Sequence, residues 1–178
     1  MDFAFKRIKM NFLVKNDIIK KMTEFAYIQT PLGIAKIVGN ENGVSEICIK
    51  NEGEITTIIP HDLQEAVSQL QEYFDGKRTH FTIKLNPKGT EFQQKVWTEL
   101  QNIPFGKTIS YLDLAKKLGD PKVIRAAAAA NGKNPLWLII PCHRVIGSDG
   151  SLTGYASGLW RKKWLLELEN PLQQMQLF

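Results

Sequence analysis

Long apolar runs and cysteines are both scarce in this sequence. No apolar stretch approaches the roughly 20 residues that a helix needs to cross a bilayer, so we expect no membrane-spanning helix. The two cysteines, Cys48 and Cys142, lie far apart. That excludes the dense disulfide framework of small secreted proteins and predicts free thiols in a reducing, cytoplasmic compartment. The three histidines form no zinc-ligand spacing with these cysteines, so we expect no structural metal site.

Charge is distributed unevenly along the chain. Residues 26–87 hold five basic and eight acidic side chains, whereas residues 88–178 hold twelve basic and seven acidic ones. A basic half of this kind favours an anionic partner, with nucleic acid as the first candidate. The alternative is that the surface lysines only keep the protein in solution.

The length of 178 residues fits one domain or two small ones. We divide the chain into an N-terminal extension over residues 1–22, an N-terminal α/β domain over 23–86, a C-terminal domain over 87–170 and a tail over 171–178. The expected fold class is α+β: a small α/β module with an antiparallel meander, followed by a mainly helical, winged-helix-like domain. We expect a monomer.

Alternating apolar residues predict three short strands in the first domain, over residues 26–28, 34–38 and 44–49, separated by glycine-containing turns. Apolar residues at helical spacing then predict a helix over 63–74. Residues 81–85 are a further strand candidate. Cys48 lies within the third strand, and we expect it to be a packing residue, since free cysteine is commonly buried.

Helix start signals recur in the second domain. Thr90 with Gln93, and Ser110 with Asp113, each form a capping box ahead of an apolar stripe. Asp120 is the expected N-cap of a third helix, which follows the second after a tight turn containing glycine. The second and third helices are therefore predicted to form a helix-turn-helix.

The third helix carries five consecutive alanines at residues 126–130, preceded by Arg125. A helix so bare of side chains can approach another object closely, and Arg125 would be the long side chain that projects from it. The alternative is tight packing against another helix, which also favours small residues. A neighbouring reactive cysteine favours DNA as the object approached.

That cysteine follows an apolar run over residues 136–140, which we predict to be a short buried strand. Cys142, His143 and Arg144 come next. Nearby cations and an imidazole are the usual means of raising the thiolate fraction of a cysteine. Adjacent side chains of an extended chain point to opposite faces, so His143 would need a bend or a bridging water to act on Cys142. The alternative is a buried structural cysteine.

The last predicted helix begins at Ser157 or Gly158. Glu169 lies near its end, three or four residues after apolar positions, and therefore faces the apolar side. It is either a frayed, solvated end or the charge partner of His143. The residues predicted to form the apolar side are Trp160, Trp164, Leu165 and Leu168.

An ordered set of motifs over residues 89–169 resembles the O6-alkylguanine-DNA alkyltransferases, which repair DNA by direct reversal. The first half of the chain is compatible with the N-terminal domain of that family. The matching pieces are Phe92–Gln93, Val96–Trp97, Ile103–Pro104, Gly106, Thr108, Ser110–Tyr111, Leu114–Ala115, Arg125–Ala126, Asn134–Pro135, Pro141–Val145, Gly154–Tyr155, Leu165–Leu166 and Glu169.

The resemblance implies that Cys142 takes an alkyl group from O6 of guanine, with O4 of thymine as a second candidate atom, and keeps it irreversibly. It implies double-stranded DNA carrying O6-alkylguanine as the partner and no cofactor, because the alkyl group is already on the DNA. His143 would act as the base through a water, oriented by Glu169. The other implied site residues are Asn134 at the catalytic centre, Arg125, Tyr111, Ala126 and Ala127 on DNA, and Tyr155, Lys162 and Val145 at the substrate pocket.

Three other functions remain as alternatives. Alkyltransferase-like proteins bind the lesion without repairing it, but they lack the acceptor cysteine. A helix-turn-helix can also serve transcriptional control. A cysteine hydrolase would regenerate its thiol during turnover of an ester, which distinguishes it from a protein that keeps the alkyl group.

Overall fold

The computed structural model describes residues 22–170, and their fold is α+β, as predicted. The predicted tail and residues 1–21 of the predicted extension lie outside the described residues. Three antiparallel strands in the order β1-β2-β3 form the predicted meander. Their bounds are Glu24–Thr30 (β1), Gly33–Asn40 (β2) and Gly43–Lys50 (β3).

Two tight turns set the register of this sheet. Gly33 and Gly43 each begin a strand with a φ of 118°, a conformation that L side chains rarely adopt. Alternate residues of the strands point to one face, where Ala35 and Ile37 are fully buried. The predicted helix is present as α1, Gln64–Phe74, and it ends before Gly76, whose φ is 72°. Its apolar side covers the sheet.

The strand predicted over residues 81–85 is wrong. The backbone there makes a single bridge at Leu85, beside Val44. The side chain of Gln69 in α1 instead accepts the backbone N–H of Thr82 at 2.9 Å and donates to its hydroxyl at 2.8 Å. A side chain thus satisfies a backbone N–H that a strand would have paired with a neighbouring strand.

Both predicted capping boxes are confirmed. The side chain of Thr90 accepts from the backbone of Gln93, and that of Ser110 accepts from the backbone of Asp113. A small parallel sheet of two strands, each two residues long, lies beside these helices. It was not predicted from the sequence. The elements are α2 (Glu91–Gln101), β4 (Ile109–Ser110), α3 (Tyr111–Lys117), α4 (Ile124–Gly132), β5 (Val145–Ile146) and α5 (Leu159–Glu169).

The apolar run over residues 136–140 is buried as predicted, but it is not a strand. Successive tight turns fold it, with Leu138 at a φ of 72°. The side-chain amide of Asn134 accepts from the backbone of Leu136 at 2.9 Å and donates to the carbonyl of Ile140 at 2.7 Å. These bonds close the run into a loop.

This loop also joins the two halves of the molecule. The backbone N–H of Ile47 in β3 donates to the carbonyl of Pro135 at 2.7 Å, and the backbone N–H of Trp137 donates to the carbonyl of Ile47 at 3.1 Å. The segment leading to the cysteine is therefore fixed against the N-terminal sheet.

The last helix begins at Leu159, with Gly158 as its N-cap. Leu165 is fully buried on its inner side, but Trp160, which we predicted for that side, is 56% exposed. In the first turn of α5 this indole lies outside the core, and the guanidinium of Arg161 lies 4.4 Å from its ring centroid. Within residues 22–170, no helix is long and apolar enough to cross a membrane.

Candidate active site

The backbone of Cys142–Arg144 forms a single 3₁₀ turn. In an extended chain, the side chains of Cys142 and His143 would point to opposite faces. The turn bends the chain where the sequence required a bend or a bridging water between the two side chains. Cys142 is 7% exposed and His143 is completely buried. The carbonyl of Cys142 accepts a long hydrogen bond of 3.5 Å from the amide of Asn131 in α4.

The carboxylate of Glu169, at the end of α5, lies at the centre of a buried hydrogen-bond network. Nε2 of His143 lies 2.8 Å from its Oε1. Arg144 binds it through two hydrogen bonds, Nε to Oε2 at 2.8 Å and Nη2 to Oε1 at 2.9 Å. Oε2 also accepts from the backbone N–H of Gly106 at 3.2 Å, and Oε1 accepts from the hydroxyl of Tyr73 at 2.6 Å. The alternative of a frayed, solvated Glu169 is therefore wrong.

These partners set the charges at rest. Burial disfavours ionisation of Glu169, but the hydrogen bonds from His143 and Arg144 outweigh it and hold the pKa of this carboxyl well below its usual range. Burial lowers the pKa of His143 despite the nearby carboxylate, so the imidazole is neutral. Because Nε2 faces a carboxylate, it carries the ring proton and donates it. Nδ1, without a hydrogen-bond partner among residues 22–170, keeps a lone pair that can accept a proton.

The thiol of Cys142 is protonated at rest. Burial raises its pKa, against the opposing influences of the Asn134 side chain and the charge of Lys162. A buried thiol of this kind becomes nucleophilic when a base removes its proton. A neutral imidazole with a free lone pair, backed by a carboxylate, is a suitable base.

Cys142 lines a cavity of about 750 Å³, within the 300–1,000 Å³ typical of small-molecule pockets. Cys48 lines it too and is half-buried. The packing role expected for Cys48 stays a prediction. Other predicted site residues on the wall are Tyr111, Arg125, Asn134 and Tyr155.

Two residues predicted at the pocket do not line this cavity. Val145 is fully buried in β5, and its carbonyl accepts a hydrogen bond from Nζ of Lys162 at 2.7 Å. The same ammonium donates to the carbonyl of Thr153 at 3.2 Å, and burial lowers its pKa to about 8. Lys162 thus connects both ends of the segment that precedes the cavity wall. Its side chain is completely buried.

The alanine helix has one exposed side and one buried side. Arg125 and Ala126 are exposed. Ala127 and Ala130 are buried, and the carbonyl of Ala130 accepts the indole N–H of Trp97 at 2.9 Å. Ala127 packs inward where α4 meets α2, so it is wrongly placed in our predicted DNA surface.

Four residues of this region were not predicted as site residues. Tyr73 and Arg144 contact Glu169, while Trp137 and Cys48 line the cavity. Arg144 was within the quoted motif, and its position beside His143 was the available signal. For Tyr73 no local signal exists, because it lies 96 residues from its partner.

Family models match both halves of this arrangement. Residues 24–87 match the ribonuclease-like domain of 6-O-methylguanine DNA methyltransferase, and residues 91–171 match the DNA-binding domain of the same protein. The chain belongs to the 6-O-methylguanine-DNA methyltransferase family. The resemblance predicted from the sequence is thereby confirmed.

Members of the methyltransferase family align over most of the chain. The methylated-DNA–protein-cysteine methyltransferase of Methanosarcina barkeri is 46% identical over 149 residues, covering 80% of this chain and 94% of its own. The Mycolicibacterium paratuberculosis protein of that name is 42% identical over 153 residues, covering 83% and 93%.

The fold also matches solved methyltransferase structures. A crystal structure of the Mycobacterium tuberculosis protein in complex with DNA gives a TM-score of 0.76 at 41% identity, covering 83% of this chain and 92% of that one. A crystal structure of the M. tuberculosis O6-methylguanine methyltransferase gives a TM-score of 0.75 at 38% identity, covering 88% and 100%.

Proposed function

We propose that this protein repairs DNA by direct reversal, transferring an alkyl group from O6 of guanine, and secondarily from O4 of thymine, to Cys142. The observation that carries the proposal is the position of Cys142 on a cavity wall, next in the chain to a neutral imidazole that Glu169 holds. The names and DNA complex of the relatives support it. The product thioether is stable, so each molecule reacts once.

The proposed reaction balances without a cofactor. The thiol proton passes to Nδ1 of His143 through a bridging water, while Glu169 stabilises the imidazolium. The sulfur of Cys142 forms a bond to the alkyl carbon as the bond from that carbon to O6 breaks. The guanine leaves as an anion that recovers the proton. Asn134 holds the loop that carries the sulfur, through its bonds to that loop's backbone.

The proposed partner is double-stranded DNA carrying O6-alkylguanine, bound by a monomer. The target atom is not accessible in a duplex, so the nucleotide must rotate into the cavity, at a cost of a few kcal/mol. Exposed Arg125 on α4 would fill the gap left in the stack. Ala126 would allow close approach to the minor groove, and Tyr111 would meet the phosphate of the rotated nucleotide. Tyr155 would contact the extruded base from the cavity wall.

We also propose a domain division at residue 87, giving an N-terminal domain over 23–86 and a DNA-binding domain over 87–170. The break between the two matched family regions, at 87 and 91, supports this boundary. A cytoplasmic location is proposed because both cysteines are free thiols, as is usual in reducing compartments.

Intact-mass measurement tests the proposal. The protein is incubated with duplex DNA containing one O6-methylguanine, and the same reaction is run with Cys142→Ser and with Cys48→Ser. We expect one methyl group to be added to the wild type and to Cys48→Ser, and none to Cys142→Ser. No gain in the wild type, or a gain that persists in Cys142→Ser, would reject the assignment.

A further inference from the structure

Tyr73 brings a polar group from the N-terminal half into the buried network around Glu169. Its ring, 1% exposed, packs against Phe81 and Phe105, with centroid distances of 5.5 and 6.0 Å. Its hydroxyl lies 2.6 Å from Oε1 of Glu169. Because that carboxylate is ionised and can only accept, the hydroxyl donates, and the distance is typical of a short O–H···O⁻ bond.

The oxygen that Tyr73 contacts is the one that also faces the imidazole. Oε1 of Glu169 accepts from Tyr73, from Nε2 of His143 at 2.8 Å and from Nη2 of Arg144 at 2.9 Å. Three donors therefore share the negative charge of one oxygen. The Tyr73 side chain of α1 is thus a donor to this carboxylate from the N-terminal half.

We propose that Tyr73 is a positioning residue for alkyl transfer: its hydroxyl holds the Glu169 carboxylate toward His143 and weakens the pull of that carboxylate on the imidazole proton. The inference rests on the proposed function of Cys142 and His143. It gives the N-terminal half a direct part in the reaction, since α1 supplies a donor to the group that orients the base.

Loss of the Tyr73 hydroxyl is expected to change the basicity of His143. A carboxylate with one donor fewer accepts more strongly from the imidazolium, so loss of the hydroxyl raises the pKa of His143. The other titratable or charged groups that influence these residues are Arg144, Lys162, Cys142 and Tyr155, and the substitution leaves all of them in place. Burial and the neighbouring carboxylate raise the pKa of Tyr73 itself far above its usual value, so Tyr73 remains a donor throughout.

Tyr73→Phe tests the proposal in the full-length protein. Single-turnover methyl transfer from O6-methylguanine duplex is measured between about pH 5.5 and 9, with the rate constant followed at each pH. We expect the rate constant near neutrality to fall about tenfold, as for loss of a hydrogen bond to a charged group. The acidic limb of the profile should move to higher pH, while the dissociation constant for DNA stays unchanged.

Phe81→Leu is the matched control, because it loosens the same aromatic cluster without removing a donor from Glu169. It should lower stability while leaving the acidic limb in place. The proposal is overturned if Tyr73→Phe reacts like the wild type, or if both variants lose rate equally with unshifted profiles. A wild-type protein that gains no methyl group would instead refute the proposed function.

A fluorinated tyrosine at position 73 provides a second measurement that does not depend on the folding of Tyr73→Phe. Fluorine makes the hydroxyl a stronger donor with little change in shape. The acidic limb should then move to lower pH, opposite to the effect of Tyr73→Phe. An unmoved limb, or one that moves to higher pH, contradicts the proposal.

Discussion

Arg161 on α5 donates a hydrogen bond from Nε to the carbonyl of Leu32, 2.8 Å away and 129 residues earlier in the chain. Its Nη1 donates to the carbonyl of Ser157 at 2.6 Å, and its Nη2 to Oδ1 of Asn51 at 3.1 Å. Ser157 lines the cavity. One guanidinium therefore joins the first turn of the N-terminal sheet, the residue after β3 and the cavity wall.

Arg161→Met should loosen that wall and weaken the junction of the two halves. The substitution keeps an apolar stem but removes all three hydrogen bonds, so we expect the free energy of unfolding to fall by about 1–3 kcal/mol. With Ser157 released, transfer from a benzyl adduct should speed up relative to a methyl adduct. Urea unfolding and single-turnover rates measure the two effects.

Lys163→Met is the control for this experiment, since Lys163 is a more exposed cation on the same helix, 3.7 Å from Glu167. An exposed pair contributes about 0–1 kcal/mol, and the ratio of benzyl to methyl rates should not change. Equal effects of the two substitutions would show that Arg161 has no special part in the junction.

Acid should destabilise the folded protein through His143 and Glu169. Both have lower pKa values in the fold than their ordinary values of 6.5 and 4.5. The unfolded chain therefore binds more protons than the folded one at acidic pH, and the free energy of unfolding falls as pH falls. The loss due to His143 begins below pH 6.5, and that due to Glu169 below pH 4.5.

Urea unfolding at a series of pH values measures this loss. His143→Asn should flatten the dependence between about pH 7 and 5, because the group that titrates in the unfolded chain is gone. His80→Asn, at an exposed position, is the matched control for replacing a histidine by asparagine. Identical slopes for the wild type and His143→Asn would contradict the assignment of a buried neutral imidazole.

Arg125→Ala should impair reaction with duplex DNA far more than reaction with the free O6-methylguanine base. In our proposal the exposed guanidinium fills the gap left by the rotated nucleotide, and opening the stack costs a few kcal/mol, so we expect a loss of about tenfold or more on duplex. Single-turnover rates with the two substrates give the comparison. Lys77→Ala is the control for net charge, because it removes one exposed cation from the acidic half. Equal losses of rate on both substrates for Arg125→Ala would reject the role of Arg125.

The sequence predicted the elements whose signals are local. The capping boxes at Thr90 and Ser110 satisfy backbone donors within one turn, so three or four residues specify where α2 and α3 begin. The meander follows from alternating apolar residues and the turns at Gly33 and Gly43. The ordered motif around Cys142 identified the family.

Signals failed where a side chain from outside an apolar segment bonds to its backbone. Apolar composition predicted strands over residues 81–85 and 136–140, but the side chain of Gln69 accepts from the backbone of Thr82, and that of Asn134 bonds to the backbone of Leu136 and Ile140. Trp160, in the first turn of α5, is 56% exposed although its spacing predicted the inside, and its ring lies beside Arg161 instead.

By itself, the sequence determined the class of fold and the capping boxes that begin α2 and α3, because these depend on residue types at short spacing. Through the resemblance it also proposed Cys142, His143 and Glu169 as site residues. Only the tertiary structure decided the protonation states of these side chains and which groups they contact. Burial lowers the pKa of His143 and raises that of Cys142, so the imidazole is neutral and the thiol is protonated. The packing of the two halves places the Tyr73 hydroxyl 2.6 Å from the carboxylate of Glu169, 96 residues away in the sequence. Desolvation and contacts of that range arise when the two halves pack together, and no local pattern encodes them.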